Sequence, residues 1–205
     1  MAYPRKFIAL SFAILLSLAM GATAHASSND IVLYASKATV RAGTWAVKAD
    51  STAAGGFLIE NPNLGVPKVP APLAKPANYF EIKFPAYAGQ AYHLWVRARS
   101  QNNSTNNDSV YVQFSDSVTA AGAAVDRIGT TSGAAVVLEA CSGAQESGWG
   151  WTDNGWCGLG KSMYFQTTGE HTVRVQVRED GLSVDQIVLS PETYLSKAPG
   201  ARVND

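Results

Sequence analysis

Hydrophobic and polar residues alternate along most of this chain, and where they do so cleanly the period is two. Residues 91–99 place Tyr92, Leu94, Val96 and Ala98 on one face and His93, Trp95, Arg97 and Arg99 on the other. Residues 171–179 set Val173, Val175 and Val177 against Arg174, Gln176 and Arg178. Such alternation, rich in β-branched and aromatic side chains, predicts half-buried strands. Shorter candidates are 79–84, Ser109–Phe114, 134–138 and 162–166, and 184–189 is apolar on both faces apart from Asp185 and Gln186, as a central strand would be. No helix-period segment of useful length follows the first 26 residues, and no repeat of 20–50 residues is present. Short strands separated by glycine-, proline- and asparagine-rich turns predict an all-β fold, an antiparallel β-sandwich of the jelly-roll type. No βαβ alternation is visible, which removes doubly wound and barrel enzymes.

The N-terminus follows another pattern. Arg5 and Lys6 precede an apolar run from Phe7 to Met20, and Ala24-His25-Ala26 reads as a cleavage site. This is the layout of a secretory signal peptide over residues 1–26, leaving 27–205 as one domain. The run is shorter than the ~20 residues that span a bilayer, so export is expected in place of anchoring. The full chain of 205 residues has 16 basic and 16 acidic side chains; removing Arg5 and Lys6 leaves 14 against 16, a net −2. That balance supplies no field for capturing nucleic acid. In an oxidising compartment Cys141 and Cys157 are expected to pair, which contributes about 3 kcal/mol for a loop of this size; without neighbouring histidines they do not suggest zinc.

Three loops are longer than a sandwich requires: 61–76 with five of the nine prolines, 101–108 (QNNSTNND), and 141–161 with six glycines and three of the five tryptophans. Long loops of unusual composition more often carry function than not. There is no G-x-S-x-G, H-E-x-x-H, P-loop or G-x-G-x-x-G, and neither His93 nor His171 stands in a motif that would activate a nucleophile. Binding chemistry is better represented. Trp149, Trp151 and Trp156 offer indole faces on which the apolar side of a pyranose can stack, and Asp153 and Asn154 offer partners for its hydroxyls; Trp149 and Trp151 at strand spacing could equally plug the core. Arg178-Glu-Asp-Gly181 reads as a hairpin turn between the last two strands, with Glu179 and Asp180 at the rim as further hydroxyl partners. Asn106, Asn107 and Asp108 could act from the neighbouring loop. Asn102, Asn103 and Asn107 each match a glycosylation sequon. Trp95, Arg97 and Arg99 would form a concave platform with Arg174 and Arg178 if their strands were neighbours.

At these residues the sequence resembles a family. Residues 92–97 (YHLWVR), 107–113 (NDSVYVQ) and 169–190 (GEHTVRVQVREDGLSVDQIVLS) resemble, in this order, the second half of a galactose-binding-like jelly roll. The similarity is to family 6 and family 35 carbohydrate-binding modules and malectin-like domains. Trp149 and Trp151 match a W-x-W segment, and Arg178, Glu179, Gly181 and Asp185 match the final turn and strand. The resemblance spans roughly residues 30–195, firmly from about 79. It implies a non-catalytic, secreted or periplasmic carbohydrate-binding domain whose loops at one end of the sandwich hold the glycan. A neutral glycan suits the low charge. Many members also hold a structural calcium, for which Asp185 stands at the matching position; the first strand, 31–36 (IVLYAS), lacks the family's Glu-x-Glu. No other cofactor is implied. The alternatives are an extracellular structural or adhesive module that binds a protein partner, and a small glycan-active hydrolase or lyase, which would need a carboxylate pair facing one cleft.

Overall fold

The computed structural model describes residues 29–141 and 147–204; the expected signal peptide lies outside them. Thirteen strands follow in chain order: β1 Ile31–Tyr34, β2 Val40–Ala42, β3 Ala46–Ala49, β4 Phe57–Glu60, β5 Tyr79–Ala86, β6 His93–Ser100, β7 Ser109–Phe114, β8 Ser117–Val118, β9 Ala134–Val137, β10 Gly150–Thr152, β11 Tyr164–Phe165, β12 Gly169–Val177 and β13 Leu182–Ser190. Three short 3-10 turns are the only helical elements among the described residues. No described helix is long and apolar enough to cross a membrane.

The alternating segments become the body of two antiparallel sheets. The first runs β10-β6-β13-β4-β3, with β1 also paired to β13; the second runs β2-β5-β12-β7-β9. Valines and phenylalanines of β5, β7 and β12 face Leu94, Val96 and Ala98 of β6 and Val184, Ile187 and Leu189 of β13 across one core. Phe84, Phe114 and Phe165 meet edge to face inside it. The antiparallel β-sandwich jelly roll expected from the pattern is the observed fold. Successive long strands change sheet at nearly every connection, which is the jelly-roll trait.

β13 is central, as expected, and every residue in it is buried. Its register breaks between Val184 and Gln186 in the pairing with β6. A β-bulge inserts one residue and switches the inward parity from 182 and 184 to 187 and 189. That is why Asp185 and Gln186 interrupt an otherwise apolar strand.

The connection Arg178–Gly181 is not a hairpin, which corrects the expectation. β12 and β13 belong to different sheets, so this segment crosses between layers. Its backbone bonds go outward: Glu179 N–H to Ser109 O, Gly181 N–H to Asn61 O, and Gln101 N–H to Gly181 O. Gly181 has φ 85°, and a Cβ there would lie 2.8 Å from Asn107 Cγ. Asp-Gly encodes a tight reversal, while the sheet to which the next strand returns is decided by which face it buries. For the same reason Arg97 and Arg99 on β6 share no platform with Arg174 and Arg178, which belong to the second sheet or its end.

Chain segments cover parts of both outer faces. Residues 194–204 lie over the first sheet: Trp95 Nε1 donates to Tyr194 O (2.7 Å), Trp151 Nε1 to Ala201 O (3.2 Å), and Gln186 exchanges two bonds with Val203. The proline-rich 61–76 loop straps the second sheet, with Leu73 and Gln176 bonded both ways and Tyr111 Oη donating to Val69 O.

Candidate functional site

Loops 61–78, 101–108 and 178–181 meet at one end of the sandwich, here the crossover end, because β4, β6 and β12 all finish there. They enclose an open cleft of about 520 Å³ lined by Asn63, Gly65, Val66, Lys68, Asn102, Ser104, Asn106, Asn107, Glu179 and Asp180.

Its floor is built from committed groups. Asp180 Oδ2 accepts the N–H groups of Leu64 (2.6 Å) and Val66 (3.0 Å) and so fixes the lip of the cleft. Asn107 is buried and donates to Gln101 O. Glu179 is 6% exposed, accepts from the Ser109 hydroxyl, pairs with Lys68 (2.9 Å) and lies 3.4 Å from Arg178. Asp108, behind it, accepts the N–H of Glu139 and contacts the Glu179 carboxyl. Burial, then the neighbouring Glu179, pushes the Asp108 carboxyl up to about 7. Burial raises Glu179 too, but the bonds from Ser109, Lys68 and Asp108 and the charge of Arg178 outweigh it and hold the group below its ordinary value. Of the two coupled carboxyls, Asp108 is therefore the one pushed up and Glu179 the one held down.

The rim is the opposite. Asn63, Asn102 and Asn106 are exposed, and their carboxamides make no hydrogen bond to any described residue. Asn102 and Asn103 take left-handed backbone conformations (φ 62° and 47°), which asparagine tolerates better than most residues. A carboxamide both donates and accepts, as does a sugar hydroxyl.

The three loop tryptophans do not form one platform. β10 pairs with β6 with Gly150 opposite Ala98 and Thr152 opposite Val96, so the chain runs away from the crossover end as it passes from Trp149 to Trp156. β6 has eight residues, roughly 25 Å at about 3.3 Å each. Trp149 borders the crossover end: Asn103 bonds to Ser147 Oγ and the Gly148 N–H, the indole donates to Thr52 Oγ1, and Arg97 and Arg99 lie 4.7 and 4.5 Å from its ring centroid. Trp151 packs with Trp95 and Val188 beneath the C-terminal segment. Both point outward on the first sheet and neither fills the core between the sheets. Trp156 is 69% exposed.

Asp153 lies at the opposite end, 6% exposed, accepting from His93 Nε2 (2.9 Å), Gly155 N–H (2.8 Å) and Gly160 N–H (2.7 Å). Burial raises this carboxyl, but those three donors outweigh it and lower its pKa. Asn154 Nδ2 donates to Lys161 O, and its Oδ1 is buried. Both are placed as loop staples. Cys141 and Cys157 are disulfide-bonded, with Cα atoms 5.3 Å apart.

Asp185 was the sequence's metal candidate. It is fully buried, accepts the Ala54 N–H (2.8 Å) and pairs with the Arg97 guanidinium. A cation thus already neutralises it, and no group of three His, Cys, Asp or Glu among the described residues could hold a metal. The donor set does not fit calcium, which takes six to eight oxygens.

Asn63, Lys68, Asn102 and Ser104 were not singled out as binding residues from sequence. The run of amides in 101–108 carried a signal for two of them; Asn63 and Lys68, in the proline-rich loop, carried none.

No protein-family profile matches the chain, and no curated protein matches it. Among solved structures it is similar to the GH26-CBM35 β-(1,4)-mannanase of Podospora anserina, with 10% identity and a TM-score of 0.49 over 83% of this chain and 29% of that one. It is also similar to a family 35 carbohydrate-binding module from Clostridium thermocellum, with 14% identity and a TM-score of 0.45 over 79% of this chain and 98% of that one. The tryptic core of Bacillus thuringiensis Cry1Da gives 14% identity and a TM-score of 0.45 over 80% of this chain and 23% of that one. Identities this low transfer neither a ligand nor residue roles.

Proposed function

We propose that this protein is an exported carbohydrate-binding domain and that the crossover-end cleft holds a neutral glycan. One observation carries the reading: three uncommitted carboxamides, Asn63, Asn102 and Asn106, ring a floor whose own polar groups are already paired. Such a rim meets hydroxyls without a desolvated, unpaired charge beneath it. Glu179 and Asp180 against the single cation Lys68 disfavour anionic polysaccharides. Trp149, whose loop is bonded to Asn103 and whose ring lies under Arg97 and Arg99, borders this end as an aromatic surface. The signal-peptide pattern and the disulfide support export.

Hydrolysis is the less favoured reading. A carboxylate pair that flanks a glycosidic bond stands about 5–10 Å apart. Asp108 and Glu179 are in mutual hydrogen-bond contact, which leaves no room for sugar between them.

The test is affinity electrophoresis and glycan-array binding against neutral polymers, β-1,4-mannan, β-1,3-galactan and α-1,6-dextran among them. The double variant Asn102→Ala/Asn106→Ala is expected to lose at least about tenfold in affinity, two hydrogen bonds at about 1 kcal/mol each, while staying folded with a modestly lower unfolding midpoint, because alanine tolerates the left-handed backbone at 102 less well than asparagine. Absence of wild-type binding to every glycan at millimolar concentration, with and without calcium, would remove the proposal.

A further inference from the structure

We infer that the opposite end carries a second glycan-binding site, so that one molecule bridges two glycan segments; this rests on the carbohydrate reading above. The 119–126 loop and the 153–164 segment enclose a cavity of about 770 Å³, larger than the crossover-end cleft. Ala121, Val125 and Tyr164 give it apolar walls, and Thr119, Asp126 and Lys161 interleave polar groups. Apolar walls with a few placed polar groups, at this volume, describe a small-ligand site.

Both walls are rigid. Asp153 clamps the Gly155 and Gly160 amides, and Cys157 is tied to Cys141. A Cβ on Gly155 would lie 1.9 Å from Gly158 O, so the loop folds tightly on itself. In the facing wall Thr119 and Ala123 are bonded, Gly122 N–H donates to Thr119 O, and Asp126 N–H donates to Ser132 Oγ.

On this clamped loop, one residue from Gly155 in the lining, Trp156 stands 69% exposed. Its ring makes no aromatic or hydrogen-bond contact with a described residue, unlike Trp95, Trp149 and Trp151. A rigid loop that holds an indole in water presents a stacking face with little ordering left to be lost on binding. A protein partner suits the surface less well. Trp156 and Leu159 are the large exposed apolar side chains of this loop, while a stable protein interface covers about 800 Å² per partner around an apolar core.

The experiment is a ¹H–¹⁵N NMR titration of the whole protein with β-1,4-mannotetraose, β-1,3-galactotriose and isomaltotriose, in wild type, Asn102→Ala/Asn106→Ala and Trp156→Ala. The inference expects shifts in the amides of 119–126 and 155–161 that persist in the double asparagine variant. It also expects them to weaken about tenfold in apparent affinity in Trp156→Ala. Wild type should cross-link the corresponding soluble polysaccharide, measured as turbidity, and Trp156→Ala should not, while still binding it. Shifts confined to 61–68 and 101–108 overturn the second site and leave the carbohydrate reading standing. No shifts at either end overturn both. Broadening of the 155–161 amides with protein concentration, without sugar, assigns the patch to a second copy and overturns the inference.

Discussion

The two ends of the sandwich use the same residue types in opposite ways. At the crossover end the carboxylates Glu179 and Asp180 are spent on the scaffold, and amides at the rim are left uncommitted. At the opposite end Asp153 and the Nδ2 of Asn154 close a glycine-rich loop, the Asn154 carbonyl is buried without a hydrogen-bond partner, and the exposed group is an indole. One end presents carboxamides and the other an indole face. An Asp or Asn in a loop therefore says little until its hydrogen bonds are counted, because burial converts a recognition group into a clamp.

The largest expected effect falls on the clamp. Asp153→Ala strips the acceptor from the fully buried His93 and from the half-buried amides of Gly155 and Gly160; a buried donor left unpaired costs on the order of 1–3 kcal/mol and a half-buried one less, so about 3–5 kcal/mol in total is expected in urea unfolding. A loss under 1 kcal/mol would mean that the disulfide alone holds the loop. Next, Cys141→Ser/Cys157→Ser should cost about 3 kcal/mol, accelerate amide exchange in 155–160, and leave glycan binding at the crossover end intact. Loss of binding there would show that the ends are coupled.

A third measurement separates the ends by pH. Asp108 titrates near 7 when folded and near 4 when unfolded, so the folded state binds its proton more tightly. Its contribution is full below about pH 4 and is lost as pH rises through about 7. Asp153 is lowered and behaves in reverse, its contribution being present above about pH 4 and lost towards acid. Asp108→Asn should flatten the decline in stability between about pH 4 and 7 while keeping the acid limb; an unchanged decline would assign that limb to other groups. The smallest effect expected is none: calcium and a chelator should give unfolding midpoints within about 1 °C, because Arg97 neutralises Asp185. A rise of several degrees with calcium would show a cation site that the described residues do not provide.

The period-two segments read from the chain became β5, β6, β7, β9, β12 and β13 with ends shifted by a few residues, while β11 was shorter than expected. β2, β3 and β4 had no comparable signal, being three or four residues long and half-exposed. The loops with unusual composition were also visible, and all three line clefts. Their grouping was not. Trp149, Asp153 and Trp156 lie within eight residues of one another, yet the register of β10 on β6 sends them towards opposite ends.

What the sequence alone determined was the class of fold, its central strand and its cysteine pair, since alternation and the character of side chains are local properties. The tertiary structure decided that Arg178–Gly181 crosses between sheets, that Arg97 meets Asp185, and which polar side chains remained free. Those outcomes depend on pairing between residues tens of positions apart. Long-range pairing is fixed by which faces can be buried together, and no local window contains that information.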